Sequence, residues 1–126
     1  MISGIEHTAI ASPDPRRLAA WYVANLGLVI NYQSQNSPTV FLKAPNGSMI
    51  EIIESAGPAS PSGMRDAGIR HMALAVDDFA GAYETLRTRG VQFITEPDHR
   101  GGNHVVFFTD PDGNILHLLQ RETPLP

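Results

Sequence analysis

This chain is written twice, and that duplication limits its fold more than anything else in it. Gly4 to Ser12 reads GIEHTAIAS and Gly68 to Val76 reads GIRHMALAV, each opening Gly-Ile and carrying a His at its fourth place. A second pair of echoes follows the first. Pro45 to Ile53 reads PNGSMIEII, and Pro111 to Leu119 reads PDGNILHLL. His7 and His71 stand 64 positions apart, and Glu51 and His117 stand 66 apart, each the fourth residue after a turn glycine. Self-similarity at a fixed period signals a repeated structural unit. This period exceeds that of a solenoid, so each copy reads as half of one domain spanning residues 1–126. Module one covers about 1–54 and module two about 68–121. The Pro/Gly/Ser-rich stretch 55–67 forms the linker between them.

Each copy carries the same order of elements. Ile2 to Ala11 reads as a strand, with His7 on the face of Ile5, Ala9 and Ala11, because side chains alternate across a strand. Asp14 followed by Pro15 is a helix start. Leu18, Trp21, Tyr22 and Leu26 make its apolar stripe, and Gly27 is its stop. Strands follow over 28–33, 39–43 and 48–54, with a polar loop at 34–38 and a tight turn at Pro45-Asn46-Gly47. The second copy repeats this. A strand over 68–76 puts His71 on the face of Ile69, Ala73 and Ala75. A helix capped by Asp77 or Asp78 carries Phe79, Ala82, Tyr83 and Leu86 and ends at Gly90. Strands over 91–95, 104–109 and 114–121 complete the copy, with a loop over 96–103 and His117 on the face of Ile115 and Leu119. The tail from Glu122 onward reads as loose. Helices covering one face of each sheet would leave the His- and Glu-bearing faces to curve around a cavity.

Three imidazoles and one carboxylate (His7, Glu51, His71 and His117) therefore recur mid-strand at matched places. Glu51 and His117 interrupt otherwise apolar strands, where an unpaired polar group is costly. Such nitrogen and oxygen donors suit a divalent transition metal (Zn, Ni, Co, Mn or Fe) better than Ca or Mg. With neutral histidines the ion keeps one positive charge and favours an anionic oxygen. Among the other histidines, His104 reads as a strand-edge residue and His99 as solvated. Arg100, Gly101 and Gly102 read as a hairpin loop, and Arg70 points away from His71.

Composition closes off other classes. The 126 residues carry a net charge of −4 and no basic run, which argues against nucleic acid. The absence of cysteine excludes disulfides and thiolate ligands. No signal-like or membrane-spanning stretch is present in the sequence, so a cytoplasmic location is expected.

The doubled G-I-x-H strand, the closing P-[ND]-G-x-x-[IL]-[EH] strand and the DPDGN segment at Asp110 to Asn114 resemble the vicinal oxygen chelate superfamily. Its members include glyoxalase I, extradiol dioxygenases, methylmalonyl-CoA epimerase and the fosfomycin- and bleomycin-resistance proteins. The resemblance spans Met1 to about Arg121. It implies an α+β fold of two tandem βαβββ modules forming a cupped mixed sheet, and a homodimer with metal sites shared between subunits. It also implies bidentate chelation of a small oxygen-rich anionic substrate. His7, Glu51 and His71 occupy the family's ligand places. His117 stands where metal-dependent members usually carry Glu, which leaves Glu51 as the one candidate catalytic base. A glyoxalase-type lyase or isomerase is the leading expectation. A dioxygenase at Fe or Ni, or a non-catalytic antibiotic-binding protein, are the alternatives; the bleomycin-binding members lack the metal set, which weighs against the last.

Overall fold

The computed structural model describes residues 1–58 and 63–126. Part of the expected linker, residues 59–62, lies outside the described residues. The chain divides into two compact units, Met1–Ser60 and Pro61–Pro126.

The first unit runs β1 (His7–Ser12), α1 (Pro15–Leu26), β2 (Val29–Gln33), β3 (Val40–Lys43) and β4 (Met49–Glu54). Its mixed sheet has the order β1-β4-β3-β2, with β1 and β4 parallel and the other pairs antiparallel. The first strand starts later than the sequence pattern suggests. Ile2 and Ile5 are each 90% exposed and unpaired in the ladder, so His7 opens the strand instead of sitting within it. The helix begins as expected. The Asp14 carboxylate accepts from the Arg17 amide at 3.1 Å, satisfying one of the free N-terminal donors, and Gly27 closes the helix at φ 70°. Leu18, Ala19 and Tyr22 are buried in a core that also holds Ile10, Val40, Leu42, Ile50 and Ile52. That core occupies one face of the sheet, and strand alternation sends His7, Ala9, Ala11 and Glu51 to the other.

The second unit repeats the plan with one addition. It runs β5 (Met72–Ala75), α2 (Phe79–Thr88), β6 (Gln92–Phe93), β7 (Asp98–Arg100), β8 (Asn103–Thr109) and β9 (Ile115–Arg121). The order is β5-β9-β8-β6, with β7 also paired to β8 and β5 parallel to β9. The stretch 96–103, expected as loop, instead contains β7, which forms a hairpin with β8 through Gly101 and Gly102, both at positive φ. His71 lies just before β5, outside the strand expected to contain it. Asp78, not Asp77, caps α2, accepting from the Gly81 amide at 3.0 Å. Gln120 ties that helix start to β9, accepting from the Phe79 amide and donating to the Asp77 carbonyl, both at 2.8 Å. Phe79, Leu86, Val91, Val106, Phe108, Leu116 and Leu118 form the core of this unit.

Candidate metal centre

Two turns set the register of the strands that carry the candidate ligands. In the first unit the Asn46 side chain accepts from the Ser48 amide at 3.0 Å, Gly47 takes φ 91°, and the Gly47 amide donates to the Ala44 carbonyl. In the second, the carboxylate of buried Asp110 accepts from the amides of Asp112 and Asn114 and from the Asn114 side chain, at 2.8 to 3.0 Å. Gly113 there takes φ 87°. A side chain that mimics the turn's own hydrogen bonds fixes where the next strand begins. Four residues after each glycine come Glu51 and His117.

The parallel strand pairs then bring the candidates together two by two. Ala9 aligns with Glu51, and Ala73 aligns with His117. In both units the first-strand histidine stands two residues before that alanine, on the same face and diagonal to the last-strand residue. The small alanine leaves the space between them open. In the first unit His7 Nε2 lies 3.2 Å from Glu51 Oε2. In the second the rings of His71 and His117 are 4.6 Å apart, centre to centre.

The duplication extends to a third residue, an aromatic one that the ligand pattern does not single out. Phe41 aligns with Glu51 and Phe107 with His117. Phe41 meets His7 edge-on at 5.4 Å, and Phe107 meets His71 edge-on at 5.5 Å. Phe107 also stacks on His117 at 4.7 Å. A signal for it does exist in the chain: Val-Phe recurs at 40–41 and 106–107, with the 66-residue spacing of Glu51 and His117.

The two pairs differ electrostatically. His7 Nδ1 pairs with the carboxylate of Glu6, its neighbour in sequence and a residue without a counterpart in the second copy, where Arg70 stands. That hydrogen bond is the largest influence on the His7 pKa and raises it above its ordinary value. Desolvation opposes the rise, and the charges of Glu6 and Glu51 add to it. With Nδ1–H donated to Glu6, Nε2 of a neutral His7 would face Glu51 lone pair to carboxylate. The geometry therefore calls for a cation between them, either a proton on His7 or a metal ion. A metal-bound histidine whose other nitrogen donates to a carboxylate is held in the same way.

His117 is the opposite case. It is 8% exposed, and both its ring nitrogens are buried with no hydrogen-bond partner among the described residues. Burial, then the charges of His71 and Arg121, lower its pKa to about 4. It is a neutral imidazole at physiological pH, carrying a desolvated lone pair that no described residue satisfies. Orphaned buried polar atoms are rare and costly, and an ion is one of the groups that satisfies them. The donors in the two pairs thus fit a divalent transition metal of borderline hardness.

Two expectations about other residues change. His99 is exposed but partnered: its Nε2 lies 2.8 Å from Glu122 Oε1, and its ring stacks on His104 at 3.9 Å. The tail is tied at its first residue, where the Glu122 amide donates to the Gly102 carbonyl at 2.8 Å. No helix of the described residues is long and apolar enough to cross a membrane.

The model of the Glyoxalase/Bleomycin resistance protein/Dioxygenase superfamily matches residues 4–118. The chain belongs to this superfamily. Among its relatives, an ethylmalonyl-CoA/methylmalonyl-CoA epimerase of Cereibacter sphaeroides is 30% identical, with 90% of this chain and 93% of the epimerase covered. A probable lactoylglutathione lyase of Vibrio cholerae is 26% identical, with coverages of 94% and 91%. A glyoxalase family protein from Enterococcus faecalis superposes with a TM-score of 0.77 at 28% identity, covering 94% of this chain and 98% of its own. Oxidase ChaP-H2 superposes with a TM-score of 0.75 at 27% identity, with 96% and 95% covered. The α+β fold, two mixed sheets and two helices, is that of these superfamily members. The superfamily holds lyases, epimerases and dioxygenases, so membership alone leaves the reaction open.

Proposed function

We propose that this chain is a metal-dependent enzyme that transfers a proton between adjacent carbons of a small oxygen-rich anion, as a glyoxalase-type lyase or isomerase. The observation that carries the reading is His117, buried, neutral and with both nitrogens unpartnered among the described residues. In this proposal His7 with Glu51, and His71 with His117, are the two halves of a four-ligand site, and the protein is a homodimer with sites shared between subunits. The relatives named lyase and epimerase support a reaction of this general kind.

When bound, a divalent transition metal supplies Lewis acidity toward two vicinal substrate oxygens. The protein side of the chemistry falls to Glu51. Its carboxylate removes the proton from the carbon next to the carbonyl. The electron pair of that C–H bond moves toward the carbonyl oxygen, giving an enediolate. Glu51 then returns the proton to the former carbonyl carbon, while the hydroxyl proton on the first carbon passes to the oxygen of the second, so that the carbonyl re-forms at the first carbon. The site's net positive charge, from one divalent ion, three neutral imidazoles and one carboxylate, favours that anion over the neutral ketone. The Glu6–His7 pair holds the imidazole beside Glu51 in one orientation. Replacement of the usual final Glu by His117 leaves one carboxylate. A single base serves proton transfer between neighbouring carbons on one face, whereas inversion at one carbon calls for a base on each face. This favours the glyoxalase-type reaction over epimerisation.

The test is metal content of untagged protein, followed by conversion of the methylglyoxal–glutathione adduct to lactoylglutathione. At the four-ligand site wild type should hold about one transition metal per chain. His71→Ala and His117→Ala should lose it, and Glu51→Gln should lower kcat by about 10²–10⁴-fold, the range for loss of a general base. Protein that takes up no Zn, Ni, Co, Mn or Fe(II), or full turnover by Glu51→Gln, would refute the proposal. A second reading, oxygen chemistry at Fe or Ni, draws on the three-imidazole donor set and on the oxidase-named neighbour. It predicts oxygen consumption with Fe(II) and a catechol or diketone. Ligand binding that persists with metal stripped would instead mark a sequestering protein.

A further inference from the structure

We infer that the second unit carries another metal site, built from His99, His104 and Glu122, that takes a divalent ion of the zinc type. None of the three belongs to the ligand set above. Their candidate donor atoms all lie within 4.8 Å of one another.

The strands dictate this grouping. His99 on β7 and His104 on β8 are direct partners in the antiparallel register, so their β-carbons stand side by side on one face. His104 also aligns with Gln120 on β9, which makes Glu122 the next residue along β9's direction to project from that same face. The Glu122 amide is fixed to the Gly102 carbonyl at 2.8 Å, holding its carboxylate beside the hairpin. Gly102 is needed for this arrangement. It takes φ 76°, and a β-carbon there would meet Glu122 Oε2 at 3.3 Å.

The site is distinct from the His71–His117 pair. Along β8, His104, Val106 and Phe108 share the face packed in the core, whereas Phe107 lies on the other face, against His71 and His117. His104 also packs at 5.5 Å against Phe79, at the start of α2. The two clusters therefore occupy opposite faces of one sheet.

Two imidazoles and one carboxylate are a recognised three-ligand zinc set that leaves a fourth position open. Bonds of about 2.0–2.2 Å in a tetrahedron place ligand atoms roughly 3.3–3.5 Å apart. His99 Nε2 and Glu122 Oε1 already approach to 2.8 Å, while the His99 and His104 rings stack nearly in parallel at 3.9 Å, so binding requires the exposed His99 ring to turn out of that stack until both lone pairs face one ion. The alternative arrangement is a surface ion pair between His99 and Glu122 with His104 stacked beside it. That pair gives His104 no polar role, whereas a metal uses all three groups. A bound ion would fasten the β7–β8 hairpin to the end of β9.

The experiment is Zn(II) titration of the untagged full chain, followed by calorimetry and by the imidazole ¹⁵N shifts of histidine-labelled protein. The His71→Ala/His117→Ala protein serves as the background, since it removes one half of the first site. In that background the expected result is one Zn(II) per chain, with His99 and His104 resonances moving. Adding His99→Ala/His104→Ala should abolish this binding. Adding Glu122→Gln, which keeps size and fold, should weaken it at least tenfold. Absence of binding in the background protein, or binding unchanged by these additions, would overturn the inference. Failure of the first site reads out separately, as identical zinc binding by wild type and the background protein.

Discussion

The buried imidazole of His117 makes a quantitative demand on the pH dependence of folding. In the folded chain its pKa is lowered to about 4 from an ordinary 6.5, chiefly by burial. Above pH 6.5 the ring is neutral both folded and unfolded, and the group contributes no pH dependence. Below 6.5 the unfolded chain binds a proton that the folded chain refuses, so stability falls with pH down to about 4 and then levels. At 1.36 kcal/mol per unit, the full displacement corresponds to about 3 kcal/mol, and the span from pH 7 to pH 5 to about 2 kcal/mol. The assay is urea denaturation of metal-free protein at half-unit steps from pH 7.5 to 4.5, for wild type and His117→Leu. Carboxylates and the other histidines titrate in both proteins, so the difference between the two curves isolates His117. That difference should be flat above pH 7 and move by about 2 kcal/mol against wild type by pH 5. Parallel curves through the whole range would show that the ring is solvated in the folded chain, and would remove the main support for its role as a ligand.

Two further outcomes follow from the same geometry. Asp110→Ala removes the acceptor of three hydrogen bonds in the turn before β9 and should destabilise the fold by about 2 kcal/mol in denaturant melts, with less bound metal because His117 loses its register. Glu6→Gln removes the largest influence raising the His7 pKa, so the His7 titration followed by NMR should move down toward 6.5, whereas no movement would show that Glu51 alone governs it.

Much of the fold and of the candidate site is legible along the chain because a duplication doubles every signal. A lone mid-strand histidine says little. His7 and His71 after the same Gly-Ile, and Glu51 and His117 after the same turn, mark equivalent places from residue order alone. Asp14-Pro15 and Gly27 delimit α1 through local capping chemistry that needs no tertiary partner. Strand starts are less legible, because local pattern and ladder pairing disagree there. Ile5 alternates correctly with His7, yet the pairing with β4 begins only at His7 opposite Met49.

The repeated unit, the limits of α1 and the identity of the four candidate ligands rest on periodicity, turn chemistry and residue type, and residue order is enough to fix them. How those side chains behave depends on the folded sheets. The register of β1 on β4 sets His7 against Glu51, and that of β5 on β9 sets His71 against His117. Burial among Phe107 and the neighbouring strands, rather than anything adjacent in sequence, strips His117 of partners and drives its pKa down. The grouping of His99, His104 and Glu122 likewise depends on hairpin pairing across a loop whose sequence carries no strand period. Side-chain chemistry is local and can be read along the chain, whereas desolvation and cross-strand neighbours exist only once the sheet has formed.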